Sequence, residues 1–177
     1  MNDGLIDMFQ YNVWANREIL AVCRELSDEQ LDASVPGVFG SIIATLRHYI
    51  ASEAGYQARL MGTEPGWDRQ DPDAPDVAQL VERHEELAGR WQRFLETPFD
   101  AERTFQIPWH DGIDRDVPAG VVLTQAVIHA HEHRSQICTI LTTLGITPPD
   151  YGGGFGAWDY AEVTNRAPQR LATTGTD

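Results

Sequence analysis

The sequence is poor in positive charge and in cysteine and has no long apolar run, and each shortage removes a class of function. Lys plus Arg number 13 against 27 Asp plus Glu, a formal net charge of -14, with a pI near 4.6 and no basic run. Nucleic-acid affinity comes largely from phosphate neutralisation by Lys and Arg, so no DNA or RNA partner is expected. The same acidity disfavours docking on anionic lipid. No apolar segment approaches the roughly 18 residues of a membrane span. The opening MNDGLIDMF has neither the basic start nor the apolar core of a secretory leader, so a cytoplasmic protein without membrane association is expected. Two cysteines, Cys23 and Cys138, cannot build a disulfide framework. Both sit in apolar helical context and are expected to be buried and reduced. No internal repeat or low-complexity block is present.

What is there is globular. With 42% hydrophobic and 23% charged residues in a chain of 177, the material suffices for one domain with a proper core. The expected domain covers residues 1–165, followed by a polar, flexible tail over 166–177.

Four segments carry helical periodicity. Leu5 to Leu26 places Leu5, Phe9, Val13, Leu20 and Cys23 close to one face, with Asn12 and Asn16 on that face too. Buried asparagines need partners, so these two either line a polar cavity or sit at the edge of the stripe. Ser27 to Gln30 carries the S-x-x-Q capping signature of a short helical turn. Gly40 to Met61 forms a second helix on Ile42, Ile43, Leu46, Tyr49 and Ile50. On it His48 stacks with the small polar strip Ser41, Thr45, Ser52 and Gly55, which leaves room for a ligand. Thr63 to Pro75 is irregular, and its Trp67 is placed to fold back over the bundle. Asp76 caps a third helix running to Leu95, in which the charged neighbours of His84 predict a solvated histidine. Asp111-Gly112 between alternating runs predicts a β-hairpin over 101–118 with His110 at its tip. A fourth helix runs from Ala119 to Leu144 and stops at Gly145. Ala157 to Val163 adds one or two helical turns. The expected architecture is all-α: a four-helix bundle with a small β-hairpin between helices 3 and 4 and a short C-terminal helix.

The fourth helix holds three of the six histidines within five residues. At about 100° per residue, His129 and His133 share one face with Gln125 and Gln136, while His131 points to the opposite side. Two imidazoles at i, i+4 are what a helix offers to one metal ion. The alternative is a pair of solvated histidines, which the charged flanks Glu132 and Arg134 favour and the apolar neighbours Val127, Ile128, Ile137, Ile140 and Leu141 oppose. A third ligand has to come from another helix, and His48 is the best placed.

Three stretches together resemble the DinB/YfiT-like family of metal-binding four-helix bundles. Tyr11-Asn12-Val13-Trp14-Ala15-Asn16 is similar to the family's Y-N-x-W-x-N opening. Ser41-Ile42 with Leu46-Arg47-His48 is similar to its S-I-x-x-x-L-x-H segment. His129 to Ile137 is similar to its H-x-x-x-H-R-x-Q-I signature, with Ser135 where many members have Gly. The match spans residues 5 to 145, with its parts in the family's order. The resemblance implies a divalent metal, zinc or nickel foremost, held by His48, His129 and His133. It also implies a metal-dependent thiol transferase using a low-molecular-weight thiol on a small electrophilic substrate. A metal-dependent hydrolase and a non-enzymatic metal or small-molecule binding protein are the alternatives, and a homodimer is the family's common assembly. In this reading Asn12, Asn16, Thr45 and Ser52 line the substrate pocket, and Gln125, Glu132 and Gln136 support the ligands from behind.

Overall fold

The computed structural model describes residues 3–67, 74–109, 111–150 and 155–166. The elements are α1 (Asp3–Arg24), α2 (Asp28–Leu31), α3 (Ile42–Met61), α4 (Val77–Leu95), β1 (Thr104–Pro108), β2 (Asp114–Pro118), α5 (Ala119–Thr143) and α6 (Ala157–Val163). The four long helices form the expected bundle. Around it the order is α1, α4, α3, α5, so the first and second long helices sit on a diagonal. Among the described residues no helix is long and apolar enough to cross a membrane. The expectations for His110 and for the tail beyond residue 166 fall outside the described residues.

Local chemistry sets the helix ends. Ser27 and Gln30 close a reciprocal capping box at α2, and Asp76 and Gln79 do the same at α4, each satisfying two otherwise orphaned amides. Ser41 is the N-cap of α3 rather than part of its body, and its hydroxyl accepts from the Ala44 amide at 3.3 Å. Gly62 ends that helix at φ 67, a left-handed conformation open to glycine. The N-cap of α5 is Pro118, which offers no side-chain acceptor. Its first amides are taken instead by the chain before the hairpin: Ala119 donates to the Arg103 carbonyl at 2.8 Å and Gly120 to that of Ala101 at 2.9 Å. The antiparallel hairpin, in register from Thr104 with Pro118 to Pro108 with Asp114, therefore fixes where α5 starts. Trp67 folds back as expected, packing on the core with the guanidinium groups of Arg83 and Arg90 over its ring at 5.5 and 5.7 Å. Rings of Tyr11 and Trp14 hold α6 through Phe155 and Tyr160.

The core has two apolar clusters. One gathers Ile19, Leu46, Ile50, Leu80, Leu87 and Ile140; the other gathers Phe9, Leu60, Trp91, Val122 and Leu123. Asn12 and Asn16 fall between the two clusters along α1, and Glu53, His84 and Arg134 are set among the apolar residues of the first; all five are buried. Cys23 is buried and Cys138 half-buried, both as free thiols.

His84 corrects the expectation of a solvated histidine. Its flanks on α4 face water, but the ring is fully buried and donates from Nε2 to the Val13 carbonyl at 3.2 Å, joining α4 to α1. Burial, which disfavours the charged imidazolium, lowers its pKa to about 4. Between that value and the ordinary 6.5 the unfolded chain binds the extra proton, so His84 costs stability as pH falls through this window. His84→Gln, which keeps a donor, should flatten the acid side of the urea-midpoint profile between pH 6.5 and 4.5, removing about 2 to 3 kcal/mol of pH dependence.

Candidate metal centre

Helices α3 and α5 pack side by side, which brings the middle of one against the middle of the other. His48 projects from α3, and His129 and His133 project from one face of α5. The Nε2 atom of His129 lies 3.2 Å from that of His48 and 3.2 Å from that of His133, and the three ring nitrogens lie within 4.8 Å of one another. His133 is buried while His48 and His129 are half-buried. An imidazole nitrogen has one in-plane position, holding either a proton or a lone pair, so His129 Nε2 cannot hydrogen-bond to both neighbours at once. Three lone pairs directed at a common cation resolve the conflict. Nitrogens bound tetrahedrally to one zinc at about 2.0 to 2.1 Å stand about 3.3 Å apart, close to the two 3.2 Å separations from His129. The donor set of three neutral imidazoles suits a divalent transition metal.

The proton on His133 is placed by Gln136. The Phe39 amide can only donate, and it does so to Gln136 Oε1 at 3.2 Å. That oxygen therefore faces His133 as well, and Nδ1 of the ring donates to it at 2.9 Å. With the proton held on Nδ1, the lone pair is left on Nε2, aimed at the other two histidines. Aromatic rings frame the group. Phe39 stacks on His48 at 4.2 Å between centroids and meets His133 edge-on at 5.2 Å, yet half of its own surface stays exposed. Tyr49 lies parallel to His133, and Tyr56 stands edge-on to His129 at 5.8 Å.

Behind the histidines lies a buried polar relay. Nη1 of Arg134 donates to the carboxamide oxygens of Asn12 at 2.7 Å and Asn16 at 2.5 Å. The amide nitrogens of the same two residues donate to Glu53, at 3.5 and 3.2 Å. Trp91 Nε1 completes the carboxylate's shell at 2.8 Å. Desolvation raises the Glu53 pKa, opposed by Trp91, Arg134 and the asparagines.

Several sequence-based assignments change here. Asn12 and Asn16 do not border an open pocket; both are fully buried and committed to Arg134 and Glu53. Thr45 and Ser52 are buried too, and the Thr45 hydroxyl donates to the Ser41 carbonyl at 2.8 Å. Gln125 and Glu132 are exposed; His131, exposed too, stays outside the three-histidine group as its helical phase predicts. Arg134, whose charge argued for an exposed face, is 2% exposed. Sequence reasoning missed Phe39, Tyr56 and Glu53. Glu53 had a legible signal: it falls three residues after Ile50 and four before Gln57 on the buried side of α3, where an acid needs partners. Phe39, in a loop between Gly37 and Gly40, had none.

Replacing Arg134 leaves the Glu53 carboxylate buried without its cation. Arg134→Leu should lower unfolding free energy by about 3 to 5 kcal/mol, measured by urea titration. Glu132→Ala, two residues away and exposed, should stay within about 0.5 kcal/mol of the parent.

Known proteins show the same architecture. The model of the DinB family matches residues 1–164. Protein DinB of Bacillus subtilis (strain 168) is 25% identical over 161 residues, covering 86% of this chain and 94% of the relative. Among solved structures, YfiT from Bacillus subtilis aligns with a TM-score of 0.62 at 20% identity, covering 83% of this chain and 91% of that one; it is described as "a probable metal-dependent hydrolase with an unusual four-helix bundle topology". A DinB-like protein from Bacillus cereus ATCC 10987 aligns with a TM-score of 0.63 at 18% identity, covering 84% and 95%.

Proposed function

The chain belongs to the DinB family, and from that premise we propose that it is a metal-dependent enzyme transferring a low-molecular-weight thiol to a small electrophile. His48, His129 and His133 hold a divalent transition metal, zinc or nickel foremost. The observation that carries this reading is the convergence of three Nε2 atoms on one point with no carboxylate or thiol of the described residues among them. Three protein nitrogens leave coordination positions for an exogenous group, as in catalytic rather than structural sites. The metal, when bound, lowers the pKa of a thiol or water and supplies a nucleophile at neutral pH.

The chain's own residues bind and orient. Gln136 keeps the His133 proton on Nδ1, so the ligand lone pair stays available. Phe39 and Tyr56 shield the ring nitrogens from bulk water on two sides and offer apolar surface to a substrate. Among the described residues the group that could hold the ion contains no acid, and thiol transfer would need none in it, because a thiol binding the ion would give up its proton on binding. In the transfer, the sulfur loses its proton to solvent and forms the new carbon–sulfur bond as the electrophile's leaving group departs with its bonding electron pair, chloride in the case of monochlorobimane.

A second reading, metal-dependent hydrolysis, is favoured by the description of YfiT. The two separate by substrate. Turnover of monochlorobimane that requires both added thiol and metal supports transfer. Turnover of ester or amide substrates without thiol supports hydrolysis.

The ligand set is tested apart from turnover. In protein purified without a His-tag, His48→Ala, His129→Ala and His133→Ala should each deplete bound metal by elemental analysis, and His131→Ala should not. Gln136→Ala should weaken metal affinity by about ten- to a hundredfold. Full metal retention in the His129 variant contradicts the assignment.

A further inference from the structure

Arg59 stands on the same strip of α3 as His48. The run His48, Ala51, Gly55, Arg59 steps by three, four and four residues, which keeps all four on one face of the helix. About eleven residues at 1.5 Å rise separate its ends by about 16 Å. An open groove of about 1040 Å³ follows this strip from Ala51 to Arg59, lined by Ala51, Gly55, Tyr56, Arg59, Glu64 and Ile107 among others. Tyr56 belongs to both regions, lining the groove and standing edge-on to His129. The walls are held in place. The loop bearing Trp67 is fixed under Arg83 and Arg90, and Arg47 donates to the carbonyls of Ala74 and Pro75.

The cation at the far end is the informative group. All 13 basic residues of the chain are arginines, set against 27 acids, so carboxylate partners are plentiful. Arg17 pairs with Glu85, Arg90 with Glu86, Arg115 with Asp111 and Arg166 with Asp7. Arg59 forms no ion pair among the described residues, although Glu64 lines the same groove. Its place in the last turn of α3 suits the helix dipole, and the half-buried side chain lines the groove.

We propose that this groove is a substrate channel for an extended small molecule bearing a carboxylate. The carboxylate pairs with Arg59, whose planar fork matches it bidentately. The apolar middle lies over Ala51 and Gly55 between Tyr56 and Ile107, where the absence of large side chains on the helix gives it room. The reactive end reaches the three histidines. The position of the reactive end rests on the metal-enzyme reading; the carboxylate site does not.

The probes are ω-mercaptooctanoate and its neutral counterpart ω-mercaptooctanol, titrated calorimetrically into cobalt-loaded protein. Growth of the cobalt–thiolate absorption band reports the thiol end independently. The parent protein should bind the carboxylate about tenfold more tightly, a difference of about 1.4 kcal/mol. Arg59→Gln should bind both probes alike and keep the absorption band. Absence of a preference in the parent, or a preference that survives in Arg59→Gln, overturns the proposal. If the protein takes up no cobalt, the metal reading fails, and the carboxylate site is decided by octanoate alone. A saturable shift of the Arg59 side-chain NMR resonance, absent with octanol, then upholds it, and no shift overturns it.

Discussion

A guanidinium and a carboxylate, both out of water, face each other across two asparagines at the centre of the bundle. Neither charge is tolerable alone in that position, because desolvation of an unpaired ion costs several kcal/mol or more. Asn12 and Asn16 make the pair possible by turning their oxygens to Arg134 and their nitrogens to Glu53. Trp91 adds its indole N–H to the same carboxylate. The relay thus takes one or more residues from each of the four long helices, and it works in one relative arrangement of them. The two apolar clusters supply most of the burial, but apolar contacts tolerate sliding. The hydrogen-bonded relay set among them does not.

The functional geometry follows from that constraint. Arg134 is the residue after His133, so fixing its side chain toward the interior fixes the rotation of α5. One helical step back, about 100° around the axis, His133 is turned toward α3, and His129 follows one turn earlier. Glu53 fixes α3 in the same way, with His48 five residues before it. The two helices that supply all three histidines are therefore aligned by their own buried charges. The separation of roles is clear in the surroundings. The relay is sealed from water, with Arg134 Nη1, both asparagines and Glu53 bonded to one another, whereas the histidine group is half-covered and bordered by the partly exposed ring of Phe39.

Much of this was legible in the sequence. Periodicity gave the four long helices, Asp111-Gly112 marked the hairpin, and Ser27 and Asp76 marked helix starts that the capping boxes bear out. Helical phase separated His131 from His129 and His133, and small neighbours singled out His48. Less legible was the interior polarity. Asn12 and Asn16 were readable as oddly placed, but their partners lie far along the chain in other helices, and one-dimensional periodicity carries no information about such pairing. Charge misled twice. At His84 the charged neighbours point to other sides of the helix from the ring, and at Arg134 the residue's own charge pointed to water although its partners lie inside the bundle. Phe39 eluded the reading because a loop has no period from which to infer a face.

The central claim is that a buried relay presents three imidazoles to a single divalent ion. X-ray absorption at the zinc edge, on zinc-loaded protein purified without a His-tag, tests it most directly. The account predicts three imidazole nitrogens at about 2.0 to 2.1 Å with remaining light-atom ligands from solvent. A sulfur shell from Cys23 or Cys138, or fewer than three imidazoles, would contradict it.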